Sequence, residues 1–169
     1  MTRALARWGT FPLGLLLLSM IGCQPQSPAQ RAAAYVTALR SVLTDVRGSP
    51  PAGPLDLDAA AAAHIDSTTL EALAAAGIVP PSCRRVLHVV IGCELEQRGL
   101  VLSVSVLRSL GGGHVALNAV VAGRAAPGDQ TMIVGQPYRA YIELESWQGG
   151  WRIVRKVRSG GPAAPAEGR

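Results

Sequence analysis

Two apolar patterns open the chain, and they have different periods. From Phe11 to Ile21 the run is nearly continuous. From Ala32 onward, apolar residues return at Tyr35, Val36, Leu39, Val42, Leu43 and Val46. This second pattern has the i, i+3, i+4, i+7 spacing of one buried helical stripe. Ser27-Pro28 supplies its start: serine is a good N-cap, and proline's missing N–H has no partner at the first helical position anyway. Gly48 supplies a stop, with Pro50-Pro51 beyond it. The spacing predicts an amphipathic helix whose stripe needs a sheet or another helix to cover it.

Ser49 to Pro54 reads as a loop by composition. Asp56 or Asp58 is placed to cap a short alanine-rich turn through Ala59 to Ala63. Thr68-Thr69-Leu70-Glu71 has capping-box spacing, with Leu70, Leu73 and Ala74 as a short apolar face. Gly77 suits the left-handed C-terminal position, and Ile78 can pack back on the last turn. From Val86 the texture becomes β-branched. Strands are predicted over Val86 to Glu96, Leu100 to Leu110, Val115 to Ala122, Thr131 to Val134 continuing through Tyr138 to Trp147, and Trp151 to Arg158. Short connections at Gln97-Arg98-Gly99, Gly111-Gly112-Gly113 and Gln148-Gly149-Gly150 make neighbours antiparallel; Ala125 to Gln130 is a longer link. A two-residue turn at Gly149-Gly150 would set Trp147 opposite Arg152 and Glu143 opposite Lys156. Ile142 and Leu144 would then share the other face with Ile153 and Val157.

Helices followed by a meander predict an α+β fold: an N-terminal amphipathic helix and one or two short helices packed on four to five antiparallel strands. The order is similar to the cystatin-like and nuclear transport factor 2-like folds. The Trp147 to Val154 hairpin, Trp-Gln-Gly-Gly-Trp-Arg-Ile-Val, resembles the last hairpin of the latter family. The resemblance implies a helix packed into a curved sheet and covers Ser27 to Arg158.

The first apolar run has its own meaning. Arg3 and Arg7 precede it and Gly22 ends it, which is the layout of a secretory signal. About a dozen apolar residues fall short of the roughly 20 that a spanning helix needs. Met20-Ile21-Gly22-Cys23 resembles the lipobox of bacterial lipoproteins, with Met20 where leucine is usual. The resemblance implies a cysteine that is diacylated and then becomes the mature N-terminus, and so a membrane partner reached through lipid on Cys23. Gln24-Pro25-Gln26-Ser27-Pro28 reads as a polar tether. The expected organisation is a signal peptide over 1–22, a lipidated tether over 23–27, a single α+β domain over 28–158 and a disordered tail over 159–169. The implied address is the cell envelope, extracytoplasmic, on the outer membrane or on the plasma membrane facing the periplasm.

Composition narrows the chemistry. Hydrophobic residues make up 49% of the chain and aromatic residues 4%, so the core must be aliphatic. The formal net charge is +5. Without Arg3 and Arg7 the mature part has 14 basic against 11 acidic residues, or +3, too mild a balance to argue for nucleic acid. Export makes a bridge the natural reading of Cys83 and Cys93. Yet ten extended residues span about 33 Å, and a disulfide tolerates at most about 7 Å between Cα atoms. Val86 to Ile91 offers no turn residue before Gly92. A single strand over Val86 to Glu96 therefore makes Cys93 a core residue and Cys83 a loop thiol, and a bridge would need the segment to fold back.

The catalytic inventory is thin. The sequence has no nucleophile elbow, Cys-x-x-Cys, His-Glu-x-x-His or phosphate-binding loop, and Gly111-Gly112-Gly113 reads as a turn. No metal or cofactor is expected. On strand parity His88 shares a face with Glu94 and Glu96, and His114 shares one with Asn118. Such a set could ligate a metal or do acid–base work, although a solvated sheet face is the ordinary reading. Trp147 and Trp151 are candidates for a binding platform; the plainer alternative is that one caps the core and the other covers an arginine stem. His88, His114, Trp147 and Trp151 are thus the candidate ligand-facing residues, and Cys23 the candidate lipidation site. Two functions are compatible with this. One is an anchored, non-catalytic binding or assembly domain, taking an envelope protein or a small ligand. The other is a small-molecule enzyme with a helix–sheet cavity of nuclear transport factor 2-like type, as that resemblance would imply. Inward positions in Leu87 to Leu95 and Ile142 to Val157 are mostly aliphatic, Arg155 excepted, which favours binding.

Overall fold

A computed structural model describes residues 26–48, 53–93, 100–123 and 136–160. The first 25 residues, with Cys23, lie outside these, as do Glu94, Glu96, the predicted strand Thr131 to Val134 and residues 161–169. Helix α1 spans Pro28–Arg47. The Ser27 hydroxyl accepts from Gln30 N–H at 3.2 Å, and the Gln30 side chain accepts from Ser27 N–H at 3.0 Å, a reciprocal capping box. Its buried face is Ala32, Ala34, Tyr35, Ala38, Leu39, Val42 and Leu43, with Gly48 ending it as expected. Helix α2 spans Ser67–Ala75. Its cap is Asp66, whose carboxylate accepts from Thr69 N–H at 2.8 Å, so the helix begins before the predicted Thr68 start. Its end closes as expected: Gly77 takes φ +68°, with bonds from Gly77 N–H to Ala74 O and from Ile78 N–H to Leu73 O. Between the helices Asp58 accepts from Ala60 and Ala61 N–H, closing the alanine turn, while Asp56 is buried in a strand. No helix among the described residues is long and apolar enough to cross a membrane.

The fold is α+β. The strands are β1 (Asp56–Leu57), β2 (Arg84–Val86), β3 (Val89–Ile91), β4 (Leu100–Val104), β5 (Arg108–Gly111), β6 (His114–Gly123), β7 (Tyr138–Trp147) and β8 (Gly150–Ser159). The main sheet runs β1-β4-β6-β7-β8, with β5 also paired to β6. β4 and β5 are the predicted Leu100 to Leu110 strand, broken at Ser105–Leu107 and pairing along one edge of β6. The meander is antiparallel; β1 adds one short parallel pair at its edge. Ser159 pairs with Arg139, so β8 reaches one residue into the expected tail. α1 packs on β6, β7 and β8, and the core is built around Leu39, Leu102, Leu117, Ile142 and Leu144.

The single strand expected over Val86 to Glu96 is instead a hairpin. β2 and β3 pair antiparallel with Val86 opposite Val89, so Leu87-His88 forms the turn. Leu87 takes φ +54° to do so, a conformation that bulky side chains rarely adopt. The fold-back overturns the reading of Cys83 and Cys93 as separate thiols: they are bridged, with Cα atoms 4.1 Å apart. Gly92 permits it. It has φ +69°, and a Cβ there would run into the Ser82 carbonyl. Replacing Cys83 and Cys93 together by serine should cost about 3 kcal/mol, the loop-closure value for a ring of this length. A native chain whose Cys83 and Cys93 react freely with a thiol reagent would contradict the bridge.

The last hairpin forms with a shifted register. Its turn is Gln148-Gly149, both at positive φ, so Trp147 pairs with Gly150 and Glu145 with Arg152. A bulge at Val154 then moves the partner of Glu143 to Arg155, and that of Ile142 to Lys156. Beyond it the faces differ from the expected ones. Arg155 and Val157 point outward with Glu143 and Tyr141, and Lys156 points inward beside Ile142 toward α1.

Candidate functional site

Alternation on β6 and β7 puts Val115, Leu117, Ile142 and Leu144 on the buried face, toward α1, leaving a second face to solvent. Cross-strand rows there run His114–Glu145–Arg152, Ala116–Glu143–Arg155 and Asn118–Tyr141–Val157. Arg152 pairs with Glu145 and stacks over the Trp147 ring, its guanidinium carbon 4.0 Å from the centroid. His114 lies 3.9 Å from the other Glu145 oxygen. The Tyr141 hydroxyl donates to Glu143 at 2.7 Å, and Arg155 stands 5.9 Å from the Tyr141 ring and 3.5 Å from Glu143. The bond to Glu143 holds the Tyr141 hydroxyl above its usual pKa, with Arg108 pulling the other way. These are linked pairs of opposite charge, suited to presenting a polar surface.

The irregular Ser105–Leu107 segment divides two concavities. On the open face a groove of about 580 Å³ is lined by Ser105–Arg108, Ala116, Asn118 and Tyr141. Toward the helices a cleft of about 260 Å³ lies between Arg31, Tyr35, His64, Asp66, Thr69 and Leu107. Tyr35 fixes the wall between them: its hydroxyl donates to Ser105 O at 3.2 Å and accepts from Leu107 N–H at 2.9 Å. Burial raises its pKa, so it stays a neutral donor. In the cleft Asp66 is committed to the α2 cap and, at 3.3 Å, to Arg31. The Thr69 hydroxyl is buried with no hydrogen-bond partner among the described residues.

The four candidates from the sequence do not converge. His88 sits on the β2–β3 turn and His114 at the start of β6, in different sheets, and neither lines the groove or the cleft. Among the described residues no three His, Cys, Asp or Glu side chains gather as a metal site. Trp147 covers an arginine, as in the plainer reading. Trp151 packs against the core and donates its indole N–H to Gln30 O at 2.9 Å, tying the sheet to the start of α1. Tyr35, Arg108 and Tyr141 were not singled out in sequence, because their neighbours come from three or more separate segments. No family model, curated protein or solved structure matches the chain.

Proposed function

We propose that the chain is an extracytoplasmic lipoprotein, held to a cell-envelope membrane through Cys23, whose α+β domain binds a partner or small ligand without catalysis. The observation that carries this is the Cys83–Cys93 bridge. Disulfides persist in oxidising compartments, and the chain opens on a basic, apolar, lipobox-like leader ending at Cys23. Leader and bridge are independent features, and both favour export.

The inner face bears on the alternative, an enzyme in the helix–sheet space. Acid–base chemistry there needs inward titratable groups that are free to act. β6 and β7 point aliphatic residues inward except for Tyr138, which is committed to Asp45, and Lys156 is committed to Asp45 at 2.6 Å and to Ser41 O at 2.9 Å. The open groove beside Arg108 and Tyr141 is the better place for a partner. In a competent bacterial host the chain should incorporate labelled palmitate, and Cys23→Ser should abolish labelling and change fractionation. Cross-linking in the intact envelope, followed by capture of the tagged chain, should recover a partner that Tyr141→Ala together with Arg108→Ala loses. A wild-type chain that takes up no fatty acid would overturn the anchored reading.

A further inference from the structure

The β2–β3 hairpin is an apolar tip on a rigid base. Leu87 is 86% exposed, Val89 61%, Val86 44% and Ile91 39%, while Val90 between them is buried. Scattered exposed aliphatics are ordinary, but four within six consecutive residues form a patch. The tip also keeps an unfavourable backbone: Leu87 holds φ +54° where glycine would sit without strain. The base is fixed three ways. The Cys83–Cys93 bridge closes it, Val90 plugs into the core, and the Arg85 guanidinium donates to Ala63 O at 2.8 Å and to Ile65 O.

The occupant follows from where the base lies. Ile65 adjoins Asp66, and Asp66 holds Arg31 in the first turn of α1 at 3.3 Å. The hairpin is therefore braced against the end of the fold at which the chain arrives from Cys23. Three residues separate Cys23 from the Ser27 cap, so the four steps between them reach at most about 14 Å. An acylated Cys23 holds that end of the fold against the bilayer. Leu87 stands two residues beyond Arg85, about 7 Å along the strand.

We propose that the Val86–Ile91 tip inserts into the headgroup–acyl boundary of the membrane that holds Cys23, giving the domain a second contact and a fixed orientation. The proposal rests on the anchored reading of Cys23. Lipid accounts for features that a polar surface does not: the aliphatics face outward, and a bulky Leu87 stands exposed at a strained position.

The test reads depth and acylation separately on the full chain. Leu87→Cys is labelled with an environment-sensitive dye and the protein reconstituted into phosphatidylethanolamine–phosphatidylglycerol vesicles, with Thr44→Cys near the far end of α1 as reference. The dye at 87 should shift to the blue, be quenched by spin-labelled lipid and resist aqueous iodide; the dye at 44 should do the reverse. If Leu87→Cys disturbs the Cys83–Cys93 bridge, seen by mass, Val89→Cys takes its place. Equal iodide access at the two positions overturns the insertion, whether or not fatty acid is incorporated. Shielding seen in native envelopes but not in pure lipid also overturns it and points to a protein partner. Shielding without fatty-acid incorporation removes the anchored reading and leaves the insertion standing.

Discussion

Leu39→Ala should lower the unfolding free energy by about 2–5 kcal/mol, the range for deleting a buried leucine and leaving its cavity. Leu39 is fully buried at the centre of the α1 stripe, with Leu43 one turn on and the sheet beneath. The space cannot collapse easily, because α1 is pinned at both ends. Trp151 holds Gln30 O at its start, and Lys156 holds Ser41 O toward its finish. Arg40→Ala, one position along and exposed, should cost under about 0.5 kcal/mol. Urea denaturation of the two variants gives the comparison. Equal losses would mean that α1 is not seated on the sheet by this face.

α1 was legible because several independent signals agree on it: a cap, a stripe and a stop. The three long strands β6, β7 and β8 were legible because alternation and glycine turns mark them. The start of α2 was displaced by two residues, because Asp66 competes with Thr68 as a cap and a shared carboxylate, bonded also to Arg31, prevails. The β2–β3 fold-back was not legible at all. No glycine or asparagine marks Leu87-His88, and the turn is held by contacts remote in sequence: the Cys83–Cys93 bridge and the carbonyls of residues 63 and 65 that clamp Arg85. Strand parity consequently does not apply to His88, which sits on the turn.

The face of β8 was lost for a different reason. A period-2 argument holds only while the register is constant, and one extra residue reverses every position beyond it. Nothing local marks Val154 as that residue. The reversal exchanges Arg155 for Lys156 on the inner face, which removes a presumed inward arginine and supplies the partner of Asp45. The open groove was illegible in sequence for a third reason: it exists only where the broken β4–β5 strand leaves the face of β6 beside Tyr141.

Asp45→Asn should cost about 3 kcal/mol near neutral pH, because it leaves a largely buried cation without its counter-charge. Asp45 and Lys156 side chains are only 17% and 19% exposed, 2.6 Å apart, with Tyr138 donating to Asp45 at 2.5 Å and Arg158 at 3.4 Å. Burial alone would raise the Asp45 pKa. The bonds from Lys156 and Tyr138 and the charges of Lys156 and Arg158 outweigh it, and hold the carboxyl below its usual 3.8. A depressed carboxyl stabilises the fold above its unfolded pKa, and that contribution is lost as pH falls through the folded value. Tyr138 behaves oppositely. Burial first, then the bond to Asp45 and its charge, push its pKa well above 10.0, so its contribution is complete below pH 10 and lost as pH rises beyond. The wild type should therefore lose stability on both flanks, below about pH 4 and above about pH 10. In Asp45→Asn the acid loss should flatten, and the alkaline loss should shrink without vanishing, since the burial of Tyr138 remains. Denaturant titrations at pH 3, 7 and 11 measure this directly. A wild-type-to-variant difference that stays constant across all three would show that Asp45 carries no linked charge in the folded chain.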